Sequence, residues 1–161
     1  MTRKTFKNLI IKPLNKEFNT IIYFNGYEAH LKNLYLPPKS CGAAFISQTI
    51  KPIVIIWQRN FYDTIQTLFH ELGHISLHGK GSNFRGRSAI QEIEAEMVAF
   101  KTCELLILPY NPNFKLNKDI NFINSYSKLI SKNTYPREIL INNCAMKIYN
   151  LLKDIKIWKE E

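Results

Sequence analysis

The stretch HELGHISLHG, residues 70–79, carries two histidines four apart with a glutamate after the first, the spacing His-Glu-x-x-His. On an α-helix, residues four apart share a face at about 6 Å, so His70 and His74 point the same way. Two neutral imidazoles so placed can each give a ring nitrogen to one Zn²⁺ at about 2.0–2.1 Å. Glu71 leaves the helix about 100° round from His70. That puts it beside the metal rather than on it, where a general base for water belongs.

A catalytic zinc takes three protein ligands and keeps the fourth position for water. The stretch QEIEAEMVAF, residues 91–100, offers Glu92 and Glu96, four apart on one helix face, while Glu94 points elsewhere. Ala95, Met97, Val98, Ala99 and Phe100 make Glu96 the more deeply embedded carboxylate, and a carboxylate in apolar surroundings needs a compensating charge. A second helix packed on the first could bring either carboxylate, Glu96 or Glu92, to the ion, and these surroundings discriminate only weakly between them. His78 continues the i, i+4 series but lies roughly 12 Å along the axis from His70, so one ion cannot take all three histidines from a straight helix. It reads as a helix C-terminal histidine, favourable to the helix dipole; the sharper reading puts it behind the ligands or facing substrate. His30 stands alone and reads as structural.

The elements that must hold these residues follow from punctuation and periodicity. Residues 5–36 carry apolar and aromatic positions (Phe18, Ile21, Ile22, Tyr23, Tyr27, Leu31, Leu34) at helical spacing. LPPKSCG is a break. AAFIS and PIVIIW then read as two short strands joined by a turn near Gln48–Lys51, with Pro52 opening the second strand or lying on an edge. Gly42, Ala43 and Ala44 are small enough to admit a close backbone. Asn60 or Asp63 can cap the motif helix, which stops at Gly79. Ile65, Leu68, Leu72, Ile75 and Leu77 give that helix a broad apolar stripe. GKGSNFRGRS is loop. A long helix spans about Ser88–Leu108, ended by Pro109 and Pro112, and two further helical stretches fall near 120–132 and 136–158, with Pro136 suited to a helix N1 position. The expected fold class is α+β: a small β-sheet packed on the motif helix, with a mainly helical C-terminal half.

The chain has 161 residues, the size of one domain, and is 45% hydrophobic and 22% charged, enough for a core without staples. Cys41, Cys103 and Cys144 form no CxxC pair and no disulfide framework, which suits a reducing, cytoplasmic compartment. The basic start has an apolar run of only Leu9–Ile11, too short for a signal peptide, and no run is long enough to span a bilayer. The net charge of +9 admits a nucleic-acid partner. The lysines are scattered, however, with no basic run of five or more, so nucleic acid is not the favoured partner.

Residues 40–110, with IVIIWQRNFYDTIQTLFHELGHISLHG followed by EIEAEMVAFKTCELLILP, resemble the ImmA/IrrE family of zinc metallopeptidases. That family shows a strand, a helix carrying HELGH and often LH, then a helix with a Glu-Ala element ending in Leu-Leu-x-Pro, echoed here by Leu105, Leu106 and Pro109. The resemblance implies a zincin-like metallopeptidase domain over residues 1–161, with a helical C-terminal part over 115–158. It makes His70 and His74 zinc ligands and Glu71 the catalytic base, and counting back from the Leu-Pro ending favours Glu96 as third ligand. The usual Glu-Ala-Asn of the family is Glu94-Ala95-Glu96 here, which keeps Glu92 in play. The second helix is also similar to that of ArdC-type antirestriction proteins, which again favours Glu96. Family members cleave a helix-turn-helix repressor of mobile-element or stress genes, often encoded next door. The expected function is thus a site-specific zinc endopeptidase; the alternative is a non-proteolytic regulator of the same shape that binds a protein partner or DNA.

Overall fold

The computed structural model describes residues 2–23, 41–46, 51–57, 60–79, 89–110 and 135–155. Over these the chain is mixed α+β and mostly helical, with a three-stranded sheet and four helices. The expected helix near 120–132, the loop after Gly79, the turn at 48–51 and His30 lie outside the described residues.

Helix α1 is a continuous helical run through Arg3–Phe6, a π-helical turn Lys7–Ile11 and Lys12–Glu17. It ends sooner than its apolar spacing predicts. Asn19 adopts a left-handed φ of 46°, a conformation asparagine tolerates better than most residues. The amides of Asn19 and Thr20 turn back onto the carbonyls of Lys16 and Asn15 at 3.4 and 3.1 Å, closing a Schellman stop. Ile21 and Ile22, placed on a helix by periodicity, instead form strand β1 (Ile21–Tyr23), which β-branched residues favour. The Asn15 side chain pins that strand by accepting from the amide of Ile22 at 2.9 Å.

Strands β2 (Gly42–Phe45) and β3 (Ile53–Ile56) pair antiparallel, and β1 pairs parallel with β3, giving the order β1-β3-β2. Pro52 lies just before β3, where its missing N–H costs no ladder bond. Its carbonyl accepts from Ile21 at 2.9 Å and from the Thr20 hydroxyl at 2.7 Å. Val54, Ile55 and Ile56 are fully buried, as a middle strand requires.

Helix α2 (Phe61–His78) carries the histidine motif and packs on β2 and β3. Asn60 caps it, its side chain accepting from the amide of Asp63 at 2.9 Å. Helices α3 (Ala89–Leu106) and α4 (Tyr135–Leu152) complete the described fold. The closest helix pair is α2 against α3, and α4 packs on α3 with lesser contact to α2 and the end of α1. The core joins Phe6, Ile10 and Leu14 of α1 to Leu68, Phe69 and Leu72 of α2, Val98 and Cys103 of α3, and Ile141 and Ile148 of α4. No helix among the described residues is long and apolar enough to cross a membrane.

Candidate metal centre

Gly73, inside HELGH, decides how close α3 comes to the motif. A Cβ there would lie 3.0 Å from Cα of Ala95 and 3.2 Å from both its carbonyl oxygen and Cβ of Val98. Backbone therefore meets backbone at Ala95, and the carboxylates on either side of it, Glu92, Glu94 and Glu96, are carried onto the histidine face of α2.

The three meet different histidine atoms, Glu92 two of them. Glu92 sets Oε2 3.3 Å from Nε2 of His70 and Oε1 3.5 Å from Nε2 of His74. Those two Nε2 atoms lie 3.0 Å apart. Glu96 lies on the other side of the His70 ring, with Oε2 2.8 Å from Nδ1, and its Oε1 accepts from the Tyr110 hydroxyl. Glu94 is buried at 1% exposure and accepts from Nε2 of His78 at 2.8 Å. The sequence reading named Glu96 as third donor with Glu92 as alternative. The structure brings Glu92 to the nitrogens that His70 and His74 turn towards each other, and gives Glu96 the far nitrogen of His70. Helical register is the cause, since a four-residue step moves a carboxylate just over one turn, about 6 Å, along α3.

Proton positions follow from the partners. The Glu96 carboxylate accepts from Nδ1 of His70, so a neutral His70 would keep its lone pair on Nε2. A lone pair on each of the two Nε2 atoms, 3.0 Å apart, would repel unless a cation or a proton lay between them. Without a metal, the carboxylates around His70 favour a proton on that ring. Burial works against charge on His70, but hydrogen bonds to Glu92 and Glu96 and the charges of Glu71 and Glu96 outweigh it and raise its pKa to about 10. Burial likewise opposes ionisation of Glu92, and its bonds to His70 and His74 overcome this, holding the carboxyl well below the usual range.

The same three residues form a donor set in which one ligand atom from each lies within 4.8 Å of the others. Ligands held at about 2.0–2.1 Å by a tetrahedral ion stand roughly 3.3–3.4 Å from one another. The Nε2 atoms of His70 and His74 stand 3.0 Å apart and Glu92 brings a different oxygen to each, Oε2 at 3.3 Å and Oε1 at 3.5 Å, so the two rings and one carboxylate oxygen come within reach of such an ion. The Glu92 side chain is 42% exposed while His74 is buried, so the cluster opens to solvent on the Glu92 side.

Glu71 faces β2 and is buried. An added Cβ at Gly42 would come within 3.1 Å of its Oε1 and 2.6 Å of Cγ2 of Thr67. The small residues of β2 thus make room for the motif helix itself. His78 occupies the last turn of α2, as expected, but is buried, with Nδ1 3.1 Å from Nδ1 of His74.

Sequence reasoning missed Tyr110 and Arg137. Arg137 donates to both oxygens of Glu94, at 2.7 and 2.5 Å. A clue existed for it: Glu94 sits between Ile93 and Ala95, and a carboxylate buried there demands a partner. No local spacing could place that partner 43 residues on. Tyr110 comes from the Leu-Leu-Ile-Leu-Pro ending of α3. Ile107 turns left-handed at φ 56° and reverses the chain, so that the Pro109 carbonyl accepts from Gln66 at 2.8 Å and Tyr110 reaches Glu96.

Set against models of known families, curated proteins and solved structures, the chain matches none of them.

Proposed function

We propose that this protein is a zinc-dependent, site-specific endopeptidase of the ImmA/IrrE type on a zincin-like fold, cutting a helix-turn-helix repressor that is its partner. The observation that carries the reading is the convergence of His70, His74 and Glu92, one donor atom from each lying within 4.8 Å of the other two. His70, His74 and Glu92 would hold the metal, and Glu96 would fix the ring of His70 from behind. When bound, zinc supplies a Lewis acid that polarises the scissile carbonyl and makes water acidic near neutral pH.

Glu71 supplies the base. It follows His70 directly, its charge acts on that imidazole, and β2 confines its side chain. It takes the proton from the attacking water and passes it to the leaving amine. The solvent-facing side at Glu92 leaves room for a peptide to approach.

The test is co-expression with the repressor encoded by the adjacent reading frame. Wild type is expected to cut it; Glu71→Gln is expected to keep zinc and lose cleavage by roughly 10²–10⁴-fold. The net charge of +9 favours, as second reading, a regulator that binds without cutting. Full derepression by Glu71→Gln with the repressor intact would establish that reading and remove the first.

A further inference from the structure

His74 can serve a metal only if its Nε2 is unprotonated and held still. Its other nitrogen meets Nδ1 of His78 at 3.1 Å, Nε2 of His78 meets Glu94 at 2.8 Å, and Arg137 forks onto both oxygens of Glu94. For a neutral His78, the direction of each proton in this chain follows from its far end. The Glu94 carboxylate accepts from the Arg137 guanidinium and from His78, so His78 carries its proton on Nε2. With His78 neutral, its Nδ1 is an acceptor and Nδ1 of His74 donates to it, so the neutral His74 that a metal requires keeps its lone pair on Nε2, on the side of His70 and Glu92.

We infer that Arg137, in the first turn of α4, is a positioning residue for the metal centre, acting through Glu94 and His78 to set the tautomer and orientation of His74. This rests on the metal reading given above. The guanidinium suits the task because its planar fork holds a carboxylate in one plane and one place. Glu94 and His78 are both buried, so the carboxylate has little water to hold it instead. Without the fork it can rotate, Nε2 of His78 loses a fixed acceptor, and His78 no longer dictates which nitrogen of His74 keeps the proton. The consequence is that a helix with no residue in the donor set contributes to metal retention.

The test measures zinc affinity by competition with a chromophoric chelator, at a temperature well below the melting point of each metal-free variant. Arg137→Gln and Glu94→Gln are each expected to bind zinc roughly 10–100-fold more weakly, the usual effect of losing a partner behind a metal ligand. The double variant should be no weaker than the weaker single one, because both act along one chain. Glu138→Gln, the exposed neighbour on α4, should match wild type. Co²⁺-loaded Arg137→Gln should show an altered ligand-field spectrum at saturating metal, which a loss of fold stability alone would not produce. Should Arg137→Gln fail to fold, Arg137→Lys, which keeps the cation and loses the fork, must still bind zinc more weakly than wild type. Zinc affinity of Arg137→Gln within two-fold of wild type, or losses that multiply in the double variant, would overturn the inference. Wild-type protein that binds no zinc would overturn the metal reading beneath it, a separate and recognisable result.

Discussion

The division of labour between Glu92 and Glu96 is the finest detail of the site. The composition around Glu96 pointed to burial, and Glu96 is buried; what composition could not convey is which imidazole atom a buried carboxylate meets. One turn of α3 separates a donor beside both Nε2 atoms from a partner on Nδ1 of His70 and Tyr110, and that depends on where Gly73 lets α3 settle. Glu92→Ala should therefore abolish tight zinc binding, whereas Glu96→Ala should retain zinc at roughly 10–100-fold lower affinity. Elemental analysis and chelator competition on both variants decide the matter, and the reverse ranking would restore Glu96 as ligand. The same pair sets a pH dependence in metal-free protein. His70 is raised above its ordinary 6.5 to about 10, so its stabilising effect is complete below about 6.5 and is lost as pH climbs through 10. Glu92 is lowered, so its effect is present above the ordinary carboxylate value and is lost as pH falls below it. Melting temperature of the metal-free protein should fall from pH 7 to pH 10, and His70→Asn should flatten that slope.

At the scale of elements, glycine and left-handed positions carry most of what was hidden. The motif helix, its Asn60 cap and its stop near Gly79 were readable because capping and periodicity are local. Strand β1 was not, because Ile21 and Ile22 fit a helical spacing as well as a strand; a stop at Asn19 decided it. Gly73→Ala should gain helix propensity but force α3 outward at Ala95. Overpacking of this kind costs typically 1–3 kcal/mol, more than the about 1 kcal/mol that alanine returns. Lower stability in urea together with weaker zinc binding is the expected outcome, since Glu92 moves with α3. Ile107 shows the opposite opportunity. A β-branched residue at φ 56° with 89% of its surface exposed is strained and packs on little. Ile107→Gly should stabilise the protein by about 1 kcal/mol, read as a higher urea midpoint, provided the turn to Pro109 and Tyr110 is retained.

Over the whole molecule, α2 is the hub: the sheet packs on one side of it, α3 and α4 on others, and the donor set spans the α2–α3 contact. The α+β class was legible because strand-like and helix-like runs alternate with clear breaks. The docking of α4 through Arg137 was not, because a pairing 43 residues apart leaves no periodic trace. A metal held across two helices would couple its binding to the fold. Zinc at about 100 times its dissociation constant should add about 2.7 kcal/mol. For a chain of this length that is a rise in Tm of roughly 5–10 °C, reversed by a chelator. The most direct check on the metal centre is a crystal of zinc-saturated protein with diffraction recorded on both sides of the zinc absorption edge. A single anomalous peak enclosed by Nε2 of His70, Nε2 of His74 and the Glu92 carboxylate is the predicted result; no peak there, or a peak ligated by Glu96 in place of Glu92, would contradict it.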